Sequence, residues 1–260
     1  SILTNYHKLM TKLWTPTEEY KNNSMMQQFM NAVCDKYQLQ DNNYNTIHRW
    51  SITNTSEFWN EVWNFCNIIS SKPAVEVVDD PKKMPGAQWF KGAKLNFAEN
   101  LLKRRDDHNA LIFWGEDTVR KEITYSQLYD EVRKVAAGLK KLGVVKGDRI
   151  AAFMPNMPET IIAMLAATSI GAIWSSTSPD FGIKGVLDRF SQIEPKVIFA
   201  ADGYYYKSKA FDSQEKLKGI LSSLPSVENV ILVDYTGNAN PNDMQNAMLW
   251  DDLAADSTEP

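Results

Sequence analysis

Three features of this 260-residue sequence predict an α/β fold, with a helical N-terminal segment followed by a doubly wound, mostly parallel sheet. Residues 1–70 repeat apolar side chains at three- and four-residue spacing, the period of one helix face. From residue 110 onward, short apolar runs alternate with single amphipathic helical stretches. Those runs are apolar throughout rather than at every second residue, as in strands covered on both faces.

The first helix with a clear start follows Ser24, a good cap, and presents Met26, Phe29, Met30, Val33, Cys34 and Tyr37. A second follows Asn54-Thr55-Ser56, with Phe58, Trp59, Val62, Trp63, Cys66 and Ile69 on one face. Its aromatic residues are expected to serve as core. Pro73, Pro81 and Pro85 interrupt residues 70–90, which read as a traverse without regular structure. Asn96, with Glu99 three residues on, opens a short helix to Lys103.

Ala110–Trp114 reads as the first strand, with a turn at Gly115-Glu116-Asp117. Thr124 and Gln127 form a capping box before Leu128, Val132, Val135, Ala136, Leu139 and Leu142, and Gly143 suits a left-handed C-cap. Arg149–Phe153 is a buried strand, and Pro158 with Glu159 fits the first turn of the next helix. That helix ends at Gly171, and Ala172–Trp174 makes another strand. A helix over Gly182–Ile193, a strand over Lys196–Ala200, a helix through Leu217–Leu224 and a fifth strand over Val230–Val233 follow. Beyond Asp234 the chain reads as polar loop, including Asp251-Asp252, and reaches Glu259-Pro260 without a closing element.

The charge balance excludes several functions. Lys and Arg total 28 against 32 Asp and Glu, and the longest strongly basic run, Lys103-Arg104-Arg105, is followed by Asp106-Asp107. No nucleic-acid partner is expected, since phosphate backbones need a clustered basic surface. No run reaches the roughly 18 apolar residues of a membrane span. Ser1–Tyr6 lacks a secretory signal, and Cys34 and Cys66 cannot make a disulfide framework, so a cytoplasmic location is expected. His7, His48 and His108 are too scattered for a metal motif, and no phosphate loop, dinucleotide fingerprint or nucleophile elbow occurs.

Open parallel sheets bind ligands beyond the carboxyl ends of their strands. Four segments fall there: Met154-Pro155-Asn156, Ser175–Gly182, Ala201–Lys209 and the chain from Asp234. Ser175–Gly182 combines hydroxyls, a Pro-Asp turn and a helix start. It reads either as a capped connection or as an anion site built on free helix N–H groups. Tyr204-Tyr205-Tyr206-Lys207-Ser208-Lys209 joins flat rings to cations, which suits a nucleotide with phosphates and equally a cover for a helix end.

Several blocks resemble a known family. Trp89–Leu102 (WFKGAKLNFAENLL) resembles the N-terminal signature of short-chain acyl-CoA synthetases, members of the adenylate-forming superfamily. Ile123-Thr124-Tyr125, Gly147–Ala151, Pro155-Asn156 with Pro158-Glu159, and Gly171-Ala172-Ile173 agree in order. The form of Asn96–Leu102, Ser175–Gly182 (SSTSPDFG), Arg189–Lys196 and His48–Ser51 with Phe58-Trp59 resembles the acetoacetyl-CoA synthetase family within it. The resemblance implies residues 1–105 as the helical N-terminal region of such enzymes and 106–260 as the first α/β subdomain of the AMP-binding domain, truncated.

It further implies a carboxylate substrate, acetoacetate, activated with ATP and Mg2+ to an acyl-adenylate and passed to coenzyme A. No stretch matches the family's Ser/Thr/Gly-rich phosphate loop, its Tyr-Gly-x-Thr-Glu segment, its ribose-binding Asp or its catalytic Lys. The chain is therefore expected to be a fragment without catalytic residues, and the remaining C-terminal part of the protein to be its partner. In acetyl-CoA synthetases the N-terminal domain helps hold the nucleotide end of coenzyme A. The positions that match its contacts are Asp180, Phe181 and Gly182, then Tyr206 and Lys209. Tyr206 stands where an Arg is expected, which leaves Lys209, with Lys207, for the phosphates. Two other readings stay open: a synthetase for acetate, propionate or a longer acid, and a stand-alone module that binds coenzyme A or a nucleotide without catalysis.

Overall fold

The computed structural model describes residues 12–116 and 119–255. The amino end, His7, Asp117 of the expected turn, and Glu259-Pro260 lie outside the described residues. The chain divides into two compact units, residues 1–94 and 95–260.

In the first unit, side-chain caps start three helices. Thr17, Ser24 and Asn43 accept from N–H groups three residues on to begin α1 (Glu18–Asn22), α2 (Met25–Tyr37) and α3 (Tyr44–Thr53). Next comes α4 (Thr55–Phe65). Phe29, Met30, Val33, Cys34, Ile47 and Trp50 form the buried centre, and Phe58, Val62 and Phe65 pack on it. Phe29 meets Phe58 and Phe65 edge-on at 6.1 and 5.2 Å.

Of the aromatic residues of α4, expected as core, Phe58 and Phe65 pack on that buried centre, although no residue of the helix is fully buried. Trp63 instead stacks on Phe90 at 4.5 Å. The helix stops before Ile69, which does not share its face. The traverse expected over 70–90 holds two short strands, β1 (Glu76–Val78) and β2 (Trp89–Lys91), paired antiparallel. Its prolines lie outside the ladder, where no N–H is needed. The loop between the strands is closed by Asp79, whose carboxylate accepts from the N–H groups of Asp80 and Gln88 and from Lys83 Nζ.

In the second unit, Asn96 caps α5 (Phe97–Leu101). The expected first strand is β3 (Asn109–Gly115), but it pairs with β4 (Val119–Thr124) as a separate antiparallel hairpin. Charged Arg120-Lys121-Glu122, the exposed half of the strand, hid β4. The Thr124/Gln127 capping box opens α6 (Tyr125–Lys141), and Gly143 takes φ +76 after it.

The alternating part then runs β5 (Arg149–Phe153), α7 (Pro158–Ser169), β6 (Ile173–Thr177), α8 (Ile183–Ile193) and β7 (Val197–Ala201). A hairpin of β8 (Gly203–Tyr206) and β9 (Lys209–Asp212) intervenes before α9 (Gln214–Leu221) and β10 (Asn229–Val233). The polar run from Asp234 was expected to stay loop. It instead leads to β11 (Ala247–Leu249) and α10 (Trp250–Ala254), so Asp251 and Asp252 sit in a helical first turn that favours negative charge. Trp250 and Leu253 of α10 are buried.

Among the described residues, the central sheet has five parallel strands in the order β11-β10-β7-β5-β6. Alternate residues of each strand feed two cores. Ile150, Ala152, Phe199 and Ile231 face α6, α7 and α10, whereas Ala151, Phe153, Ile198 and Leu232 face α8 and α9. Two-sided burial explains the unbroken apolar runs, and the sheet is doubly wound.

Candidate functional site

Strand order locates a crevice. From β5 the chain passes through α7 on one face to β6, then through α8 on the other face to β7, on the opposite side of β5. Connections therefore leave neighbours β5 and β7 toward opposite faces, and ligands in such sheets bind outside the carboxyl ends at that reversal.

Ser175–Thr177, expected in the connecting loop, belong to β6, since hydroxyl side chains suit a half-exposed edge strand. The loop proper runs from Ser178 to Gly182. The Asp180 N–H donates to Ser178 Oγ at 3.3 Å, the Phe181 N–H donates to the Ser178 carbonyl at 3.2 Å, and Lys216 Nζ of α9 donates to the Pro179 carbonyl at 3.0 Å. Gly182 begins α8 without a side-chain cap, and no acid lies in its first turn. The N–H groups and positive dipole end of this 11-residue helix are thus presented uncapped beside Asp180 and Phe181. Arg189, from another of the family-like blocks, lies 4.6 Å from the Phe181 ring centroid.

The second group lies on the β8–β9 hairpin. Tyr204 pairs with Phe211 and Tyr206 with Lys209, so these four side chains share one face. Tyr204 and Phe211 stack at 5.4 Å. Lys207 Nζ lies 5.3 Å from the Tyr206 ring centroid. Among the described residues, Lys209 makes no ion pair. Tyr205 points the other way, against Tyr235 at 5.2 Å. Burial, and then the facing carboxylate of Asp180, push the Tyr204 phenol above its usual range. That contact joins the two groups: Asp180, Phe181 and Gly182 lie together at the start of α8, Tyr206 and Lys209 lie opposite each other, and Asp180 meets the hairpin face through Tyr204.

Sequence reasoning missed Asp202, which is 1% exposed between β7 and β8. Its carboxylate accepts from the N–H groups of Tyr235 (2.9 Å), Thr236 (3.0 Å) and Asn238 (2.9 Å) and from the Thr236 hydroxyl (2.7 Å). Burial alone would push this carboxyl up, but the Thr236 hydroxyl and the three N–H groups together hold it below the usual carboxylate range. The only available signal was an Asp directly after an apolar strand. Among the described residues, no group of three or more His, Cys, Asp or Glu side chains converges as a metal site would require. No described helix is long and apolar enough to cross a membrane.

The doubly wound sheet thus presents an uncapped helix start beside an aromatic hairpin that carries two lysines. The sequence model of the family described as "AMP-binding enzyme" matches residues 97–259, and the chain belongs to that family. The model described as "Acetyl-coenzyme A synthetase N-terminus" matches residues 44–101. More particularly, the chain is similar to acetoacetyl-CoA synthetases. That of Macaca fascicularis is 40% identical over 253 residues, 95% of this chain and 37% of the relative. That of Rhizobium meliloti (strain 1021) is 41% identical over 227 residues, 87% of this chain and 34% of the relative. The solved acetoacetyl-CoA synthetase from Streptomyces lividans aligns with a TM-score of 0.88 at 34% identity, covering 96% of this chain and 39% of that one. The chain thus spans little more than a third of the length of these relatives.

Proposed function

We propose that this chain supplies the N-terminal part of an ATP-dependent, AMP-forming ligase that joins acetoacetate to coenzyme A. The observation that carries this reading is the 40% identity with an acetoacetyl-CoA synthetase across 95% of the chain. On this reading residues 1–105 are the helical N-terminal region and 106–260 the first α/β subdomain. The acetoacetate carboxylate attacks the α-phosphorus of ATP and pyrophosphate leaves, giving an acyl-adenylate. The coenzyme A thiol then attacks the acyl carbon and AMP leaves. The rest of the protein carries that chemistry, and the location is cytoplasmic.

Mg2+, which binds through one or two carboxylates together with phosphate oxygens, would accompany ATP and help offset its charge. This chain's own contribution is to bind the nucleotide end of coenzyme A with Asp180, Phe181, Gly182, Tyr206 and Lys209. Free N–H groups at the start of α8 and the Lys209 ammonium offset phosphate charge, and the Tyr206 ring offers a flat surface to the base. Lys207 adds a second cation.

Pyrophosphate release by the full-length protein tests the substrate. Acetoacetate is expected to support release with a kcat/KM at least about tenfold above that for acetate, since a pocket with hydrogen-bonding groups rejects an acid lacking the second carbonyl. Equal or faster release with acetate would assign the protein to the acetyl or propionyl branch. Coenzyme A binding without release from any acid would instead favour a binding module.

A further inference from the structure

The hairpin that carries Tyr206 and Lys209 turns through two residues in a backbone region that neither favours. Lys207 has φ 50 and Ser208 φ 60, and tight turns of this kind usually hold Asn or Gly. A non-glycine residue is strained there when nothing else holds it. Here something does. Glu116 follows β3, 91 and 92 residues earlier in the chain, and its two carboxylate oxygens each accept one N–H of the turn. Oε1 accepts from Lys207 at 2.9 Å and Oε2 from Ser208 at 2.6 Å.

A second contact brings the same two hairpins together. Tyr235 packs on Phe113 of β3 at 6.1 Å and on Tyr205 of β8 at 5.2 Å. Its phenol lies so near Gly115 that a Cβ added there would be 2.5 Å from the oxygen. The β3–β4 hairpin is thereby seated against the β8–β9 hairpin, with Glu116 reaching the turn itself.

We propose that Glu116 is a positioning residue for the coenzyme A site: by holding both N–H groups of the Lys207-Ser208 turn, it fixes the opposed pair Tyr206 and Lys209 for the ligand's base and phosphates. This rests on the coenzyme A reading above. Tyr205, on the face opposite Tyr206 and Lys209, meets Tyr235 and through it Phe113 of β3, so the effect of Glu116 passes through the geometry of the turn. A bare carboxylate beside Lys207 and Lys209 would repel an anion. A carboxylate whose lone pairs are taken by two N–H groups repels it less while it orders the cations around it.

The test uses the full-length protein, titrated with coenzyme A, with amide hydrogen exchange followed at Lys207 and Ser208. Glu116→Ala is expected to weaken binding roughly fivefold, the loss of two partly solvated charge-assisted hydrogen bonds, and to speed exchange at those two amides. Glu116→Gln keeps one acceptor oxygen and should fall between Glu116→Ala and wild type in both readouts. Unchanged or tighter binding in Glu116→Ala and Glu116→Gln overturns the positioning role. Lys209→Ala, measured alongside, separates the two levels of the claim. If Lys209→Ala weakens binding and the Glu116 variants do not, the site stands and the positioning role falls. If neither residue affects binding, the coenzyme A reading of this hairpin falls with it.

Discussion

Asp202→Ala is expected to lower the thermal midpoint by roughly 10 °C, the equivalent of about 3 kcal/mol in a unit of this size. The substitution removes little apolar contact. It leaves the N–H groups of Tyr235, Thr236 and Asn238 without the acceptor they share in a place that is 1% exposed. The cost is therefore dominated by unpaired donors, not by the lost side chain. The charge adds a pH signature. The folded-state carboxyl is held below its usual range, so its contribution is fully present above the unfolded value, about pH 4, and is lost as pH falls through the lower folded value. Thermal melts between pH 7 and pH 2 should show wild type losing stability below about pH 4. Asp202→Ala should lack that part of the loss, so the two curves converge in acid. Curves that stay parallel over the whole range would show that the carboxylate charge has no part in it.

Gly203→Ala is expected to disrupt the β8–β9 hairpin and with it the proposed coenzyme A site. An added Cβ would lie 2.4 Å from the Phe211 carbonyl oxygen and 3.0 Å from Thr236 Cγ2. The nearer atom is backbone in the partner strand, which cannot rotate aside, so the Gly203–Asp212 end of the ladder must open. Exchanging Gly for Ala stabilises by up to about 1 kcal/mol through the unfolded chain where the site tolerates it. A backbone clash costs about 3 kcal/mol and outweighs that gain. Chemical denaturation should show the net loss, and coenzyme A titration of the full-length protein a weakening at least as large as that of Lys209→Ala. Retained stability would mean that the strands separate without cost.

The parts of the fold that sequence made legible are those with a local physical signature. Ser24, Asn96 and the Thr124/Gln127 box announce helix starts because capping is chemistry within four residues. Ile150–Phe153 and Val197–Ala201 are apolar on both faces because the sheet is covered on both. Elements whose partners are remote were hidden. Charged β4 needs β3 to be a strand, β1 and β2 need each other, and β11 joins the sheet only through the register with β10. The contrast is sharper at the site. Asp180, Phe181, Gly182, Tyr206 and Lys209 came from resemblance to a family, while the contact between Asp180 and Tyr204 and the register that opposes Tyr206 to Lys209 required coordinates. Glu116 gave no signal at all, since its partners are 91 and 92 residues away.

The most direct test of the central claim is an amide hydrogen exchange footprint of the full-length protein with and without saturating coenzyme A. The predicted result is slowed exchange concentrated in residues 178–185 and 203–212, the start of α8 and the β8–β9 hairpin, with the sheet interior unchanged. Protection confined to other segments, with both of these exchanging as in the free protein, would contradict it.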